Sequence, residues 1–382
     1  MTQVLCIDHR GSNQVLGARS WPLSVLLLAV AMAAATPAHG YDTTCASGNV
    51  TAKVVAMDQV ITYNRMGAFA PAGMIFALAR DVFPKTTAAG TPFPGPFTPA
   101  NSCASGGCTA GNVMLRPDKR PRPLTLRVNE GCQISITLTN LLSAADIQDA
   151  ANEAPGIQLC EPTGDGTPRP ACQSEQPVTR NVSIHIHGME PATIGDDGSN
   201  AGTTGSSLVA PGAMDTYVLL AKREGAYTIT SGPNLGGEGG SGAIASGLFG
   251  VLNVEPAGSV WYRSQVTQED MLAALDTTYD KGVGDCPNDL NLDPEPGYTC
   301  GGHPVLAYEA VYSSGPYAGL PVLNLVCPAA AAAPPGVTLA CTRGEIVHNN
   351  LNAVIAPGVT GVSCTATDRN GNVIEPCFPN DP

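Results

Sequence analysis

Apolar and polar residues alternate over many short stretches of this chain and follow a helical period almost nowhere. Leu124–Val128 (LTLRV) and Gln133–Leu138 (QISITL) each send every second residue to one face, with Asn129, Glu130 and Gly131 between them. That spacing predicts two strands joined by a tight connection. Thr51–Tyr63 (TAKVVAMDQVITY) is rich in β-branched residues and partly alternates. Val182–His187 (VSIHIH), Thr216–Leu220, Ala226–Thr230 and Leu248–Val254 complete a set of short strands with turn residues between them. This pattern predicts an all-β Greek-key sandwich or barrel. Gln268–Leu275 (QEDMLAAL) is the one segment that reads as a turn or two of helix.

The connections are long. Thr86–Gly111, Ser143–Arg180 and Gly232–Gly247 are rich in glycine and small residues or carry cysteine pairs, and Ala329–Pro335 is a low-complexity Ala-Pro run. The chain has 382 residues, more than one average domain needs, and the break in strand pattern near Glu255–Gly258 divides it. Residues 41–258 form one β domain in this reading. Residues 259–382 form a partial second β-rich or irregular region.

The N-terminus changes where the protein is expected to reside. Arg10 and Arg19 precede an apolar run from Trp21 to Ala35, and Ala38-His39-Gly40 offers a small-x-small cleavage site before Tyr41. Residues 1–40 therefore read as a secretory signal peptide, an uncleaved anchor being the alternative, and the mature chain is expected to be periplasmic or secreted without a membrane span. Of 13 cysteines, Cys6 falls in that leader and twelve remain. Neighbours in sequence suggest Cys103–Cys108, Cys160–Cys172, Cys286–Cys300, Cys327–Cys341 and Cys364–Cys377, leaving Cys45 and Cys132 over, although spacing alone does not fix connectivity. A thiolate metal site is the rival, but no Cys-x-x-Cys pair occurs. The net charge of -13 argues against nucleic acid or an anionic membrane as partner, since both select basic surfaces.

His185-Ile186-His187-Gly188 is the most informative tetrapeptide. On a strand, residues two apart share a face, so both imidazoles leave one side while Ile186 enters the core and Gly188 lets the backbone turn away. Imidazole nitrogen suits copper, zinc, iron and nickel. The bland alternative is polar alternation on a half-exposed strand. Asp196 and Asp197 are either orienting acceptors for an imidazole N–H or plain turn carboxylates. Cys300-Gly301-Gly302-His303 reads better as a disulfide with an incidental histidine. His348 reads as a surface or core histidine, and Glu238 as part of a flexible glycine run.

The surroundings of the His-x-His-Gly strand resemble the first cupredoxin domain of multicopper oxidases. Leu126–Gly131 and Ile134–Asn140 resemble its strand pair; Asp197-Gly198 follows the histidines as in that family. Val209-Ala210-Pro211-Gly212 with Thr216-Tyr217, Glu224–Tyr227, and Gly247–Pro256 resemble its later strands, so that the resemblance covers about residues 50 to 260. It implies a cupredoxin-like fold and copper as cofactor. By position, His185 would bind the type-2 copper and His187 one of the type-3 pair. In the intact family such a cluster oxidises a small reductant with dioxygen as acceptor. Two departures stand out. Thr230-Ser231-Gly232 occupies the place of the family's second His-x-His, and no His-Cys-His strand is present. The resemblance thus implies a secreted copper-binding chain that lacks most of the oxidase ligands and the C-terminal cupredoxin domains. A non-catalytic metal-binding or interaction module is the alternative.

Overall fold

The computed structural model describes residues 45, 48–70, 73–143, 180–199, 207–232, 242–278, 296–298, 303–328, 336–356, 366–367 and 373–374. These residues fall in one compact unit, Thr43–Pro382. The leader, Glu238 and the cysteines at 160, 172, 286, 300, 364 and 377 lie outside them.

In chain order, the strands begin with β1 (Val50–Asp58), the small hairpin β2 (Ile61–Thr62) and β3 (Phe69–Ala70), and β4 (Met74–Leu78). There follow β5 (Val82–Pro84), β6 (Val113–Leu115), β7 (Leu124–Asn129), β8 (Gln133–Asn140), β9 (His185–Ile186) and β10 (Glu190–Pro191). The last are β11 (Met214–Leu220), β12 (Gly225–Thr230), β13 (Phe249–Glu255), β14 (Val260–Arg263), β15 (Ala353–Ala356), β16 (Ala366–Thr367) and β17 (Val373–Ile374). Two sheets dominate, a five-stranded one in the order β10-β11-β8-β1-β4 and a four-stranded one in the order β7-β13-β12-β9. The molecule is an all-β sandwich, as the alternation predicts.

The alternation explains the burial strand by strand. In β8, Ile134, Ile136 and Leu138 enter the core while Gln133, Ser135, Thr137 and Thr139 remain partly exposed. β1 lies between β8 and β4, and its second half is covered on both faces. Val50, Ala52, Val54 and Ala56 face the main core, whereas Val55 and Met57 join a second cluster with Ile75, Val82 and Val113.

The tight connection after residue 128 is present, but it is not a hairpin. β7 pairs in parallel with β13 in one sheet and β8 in parallel with β1 in the other, so the turn, with Gly131 at φ 84°, arches across the sandwich. β8 already has a neighbour on each side, β1 and β11, so it offers no free edge to β7. Cys132, at the end of this arch, is bridged to Cys45, the two cysteines that neighbour spacing leaves over. The expected Cys103–Cys108 and Cys327–Cys341 bridges are formed.

Beyond residue 258 the chain contributes Trp261, Leu325 and Ile346 to the same core cluster as the sandwich. β14 pairs with β15, and Arg127 on β7 donates to the carbonyls of Asn350 (2.8 Å) and Leu351 (2.9 Å). The expected helix forms at Gln268–Ala273, opened by a capping box between Thr267 and Asp270. No helix among the described residues is long and apolar enough to cross a membrane.

His348 is a core histidine. It is 3% exposed, and its Nε2–H donates to the Pro321 carbonyl at 2.9 Å. Burial, helped by the positive charges of Arg263 and Lys119, holds its pKa well below the ordinary 6.5. The unfolded chain therefore binds a proton at this residue that the folded chain refuses. Stability should fall as pH drops below 6.5, by up to about 1.4 kcal/mol per pH unit while the difference persists. Denaturant midpoints measured from pH 7 downward check this: His348→Gln should flatten the slope, and an unchanged slope would remove His348 as its source.

Candidate metal centre

The histidine strand is short for a physical reason. β9 is an edge strand that pairs only with β12, in the register Ile229 with Ile186 and Thr230 with His185. Upstream of it Val182 makes a single bridge to Val209. In between, the buried Ser183 hydroxyl donates to the Gly198 carbonyl and accepts from the Gly232 N–H (2.8 Å). Side-chain bonds thus replace ladder bonds over the first half of the predicted strand.

Ile186 is buried in the core, and the rings on either side of it lie together, with centroids 4.7 Å apart and planes at 74°. The His185 side chain is 22% exposed and His187 is exposed. The His187 main-chain N–H donates to the Thr228 carbonyl at 3.0 Å, and Gly188 turns the chain away at φ 85°.

Each ring has one nitrogen engaged. His185 Nδ1 lies 2.7 Å from the Asp197 carbonyl oxygen. A carbonyl only accepts, so in this bond Nδ1 carries the proton and, in the neutral ring, Nε2 keeps its lone pair. His187 Nε2 is 2.9 Å from the Thr230 hydroxyl, where either atom can donate. Of the two aspartates considered as orienting groups, Asp197 acts through its main chain. Its carboxylate is 3.8 Å from His185 Nδ1 and accepts from the Ser199 hydroxyl. Asp196 serves the loop, accepting from Thr193 and from the Val218 N–H (3.0 Å).

Two glycines make this arrangement possible. Gly198 has φ 72°, and a Cβ there would lie 2.0 Å from the Ile184 carbonyl oxygen. A Cβ at Gly232 would lie 2.1 Å from the Gly198 carbonyl oxygen. The loop carrying Asp197 is therefore pressed against the histidine strand, backbone on backbone. Across from the pair, Thr230 touches His187, and no side chain fits at 232 without displacing the backbone.

Among the described residues no group of three or more His, Cys, Asp or Glu is placed to hold a metal ion. His303 is exposed, in a short stretch where Tyr298 bridges Pro304, and His348 is in the core. The histidine pair is legible from sequence; Thr230 is legible only as the occupant of a family position, and the Asp197 carbonyl has no side-chain signal at all.

No protein-family model matches this chain, and no curated protein matches it. Solved structures with a similar chain course include a multi-copper oxidase from Pseudomonas thermotolerans, 14% identical over 55% of this chain and 31% of that one, with a TM-score of 0.27. A copper nitrite reductase from Nitrosomonas europaea is 15% identical over 55% and 42% of the two chains, with a TM-score of 0.26. A further multicopper oxidase is 18% identical over 54% and 42%, with a TM-score of 0.27. This chain thus spans less than half the length of each.

Proposed function

We propose that this chain is an exported, cupredoxin-like copper protein in which His185 and His187 hold one copper ion. The supporting observation is the pair itself: two imidazoles, His185 on β9 and His187 just past its end, with ring centroids 4.7 Å apart and His185 Nδ1–H tied to a carbonyl, which leaves Nε2 as the ligating nitrogen. Imidazole of fixed tautomer is a suitable donor for copper. His187 ligates through Nδ1 while Thr230 occupies Nε2, or through Nε2 once the hydroxyl turns aside. Bound copper supplies one-electron redox chemistry. The protein's own contribution is to orient two rings at a partly open surface.

In this reading residues 1–40 are a leader, 41–258 the cupredoxin-like domain and 259–382 a partial second β-rich region. Oxidation of a small reductant with dioxygen as acceptor, which the resemblance implies for the intact family, needs more copper ligands than this histidine pair. For this chain by itself the non-catalytic reading is favoured by a specific feature, the Thr230 and Gly232 that stand in place of a second histidine pair.

Calorimetric titration with Cu(II) and metal analysis test the assignment. One copper per chain is expected, without an intense blue band. His185→Ala with His187→Ala should abolish that stoichiometric copper and change stability by no more than about 1 kcal/mol, since both rings are at least partly exposed. A double variant that still bound copper one-to-one would show that other residues are the ligands.

A further inference from the structure

Away from the histidines, a cavity of about 400 Å³ opens between Lys53 on β1, Arg80 just after β4, and two loops. One wall is formed within residues 99–105, beside the Cys103–Cys108 bridge; the other lies within residues 339–345, beside the Cys327–Cys341 bridge. A covalent bridge thus anchors part of each wall, which reduces the ordering cost of binding.

The charges in this cavity do not balance. Its single carboxylate, Glu345, is 3% exposed and fully engaged. Oε1 accepts from Arg80 Nη2 and has Lys53 Nζ at 3.9 Å; Oε2 accepts from the Thr342 N–H (3.0 Å) and hydroxyl (2.9 Å). Two cations face that one carboxylate. Arg80, with a side chain 6% exposed, has Nη1 without a hydrogen-bond partner among the described residues. Lys53 is 49% exposed, and 3.9 Å is too long for a hydrogen bond to Glu345. The hydroxyls of Ser102 and Ser105 both donate to the Pro99 carbonyl (2.7 and 2.9 Å), so they bring no further acceptor charge. A surplus cation in a concave site, on a chain of net charge -13, selects an anion. The volume exceeds that of a bare ion, and Pro99, Ala100 and Leu339 offer apolar wall.

We propose that this cavity binds a small organic anion, its acid group paired with the half-exposed Lys53 in the field of the buried Arg80 charge and its carbon skeleton lying along the Pro99 and Leu339 walls. The site is independent of the histidine pair and of the copper reading. Calorimetric titration of the metal-free full chain with succinate and with glycerol 3-phosphate, glycerol serving as the neutral control, tests it and separates a carboxylate from a phosphate ligand. At least one of the two anions should bind one-to-one in the millimolar range or tighter, and glycerol should not. Because Arg80 supports the fold, Lys53 carries the mutational test. Lys53→Gln should weaken binding about tenfold without moving the unfolding midpoint appreciably, and Lys53→Glu should abolish it in protein that still unfolds cooperatively. Lys222→Gln, which removes the partner of Glu190 instead, should leave binding as it is. Failure of both anions to bind overturns the proposal, as does binding that Lys53→Glu leaves unchanged.

Discussion

Gly198→Ala should cost about 3 kcal/mol of stability and weaken copper binding at least about tenfold, whereas Gly212→Ala should cost about 1 kcal/mol and leave copper binding intact. Both glycines have positive φ, 72° and 84°, so an alanine pays the left-handed strain at either. Only at Gly198 does the new Cβ meet fixed atoms: Ile184 oxygen at 2.0 Å, Ile184 carbonyl carbon at 2.6 Å and His185 nitrogen at 3.0 Å. Nothing lies within 4 Å of the corresponding Cβ at Gly212. The obstructing atoms at Gly198 are backbone, so no rotamer change relieves them, and the loop Ile194–Asp197 must move off the strand. That movement withdraws the Asp197 carbonyl from His185 Nδ1 and the Gly198 carbonyl from the buried Ser183 hydroxyl. A buried hydroxyl left unsatisfied adds its own penalty. Denaturant midpoints and copper titrations on the two variants separate these effects. Equal losses at both positions would mean that strain at φ, and not the close approach of the loop, governs the site.

The same loop shows what the sequence could carry. Side-chain period makes the shared face of His185 and His187 readable, because two residues on a strand return to one side whatever the strand pairs with. It also places Ile134, Ile136 and Leu138 inside. It does not name a strand's neighbour. β7 and β8, four residues apart, belong to different sheets, and their partners β13 and β1 are distant in sequence. The Asp197 carbonyl that fixes a ring is invisible because every residue has one; only the glycine at 198 hints that something must come close. Neighbour spacing likewise passes over Cys45 and Cys132, which are 87 residues apart and meet only once the arch after β7 has formed. Glu345 sits in a stretch whose alternation is unremarkable, and its partner Arg80 is 265 positions away.

That last pair gives the second large effect. Arg80→Met should destabilise the protein by about 3–5 kcal/mol near neutral pH, because it leaves a buried carboxylate without its main counter-charge. Burial by itself would raise the Glu345 pKa. The Arg80 charge, together with the hydrogen bonds from Thr342 and Arg80, outweighs it and holds the group below its ordinary 4.5. In the wild type this group's contribution is present above pH 4.5 and is lost as pH falls through the lowered folded value. In Arg80→Met the balance inverts: burial dominates, the folded pKa rises, and protonation relieves the lone carboxylate on acidification. The deficit relative to wild type should therefore shrink between pH 7 and pH 5. Lys53 does not substitute for the guanidinium, since its ammonium is half exposed and 3.9 Å away. Arg80→Met combined with Glu345→Leu should recover most of the loss, since removing both charges leaves neither uncompensated. Denaturation curves for the single and double variants at the two pH values make the comparison. A single-variant cost under about 1 kcal/mol, or a deficit that grows toward pH 5, would show that Glu345 is stabilised by its Thr342 bonds and not by Arg80.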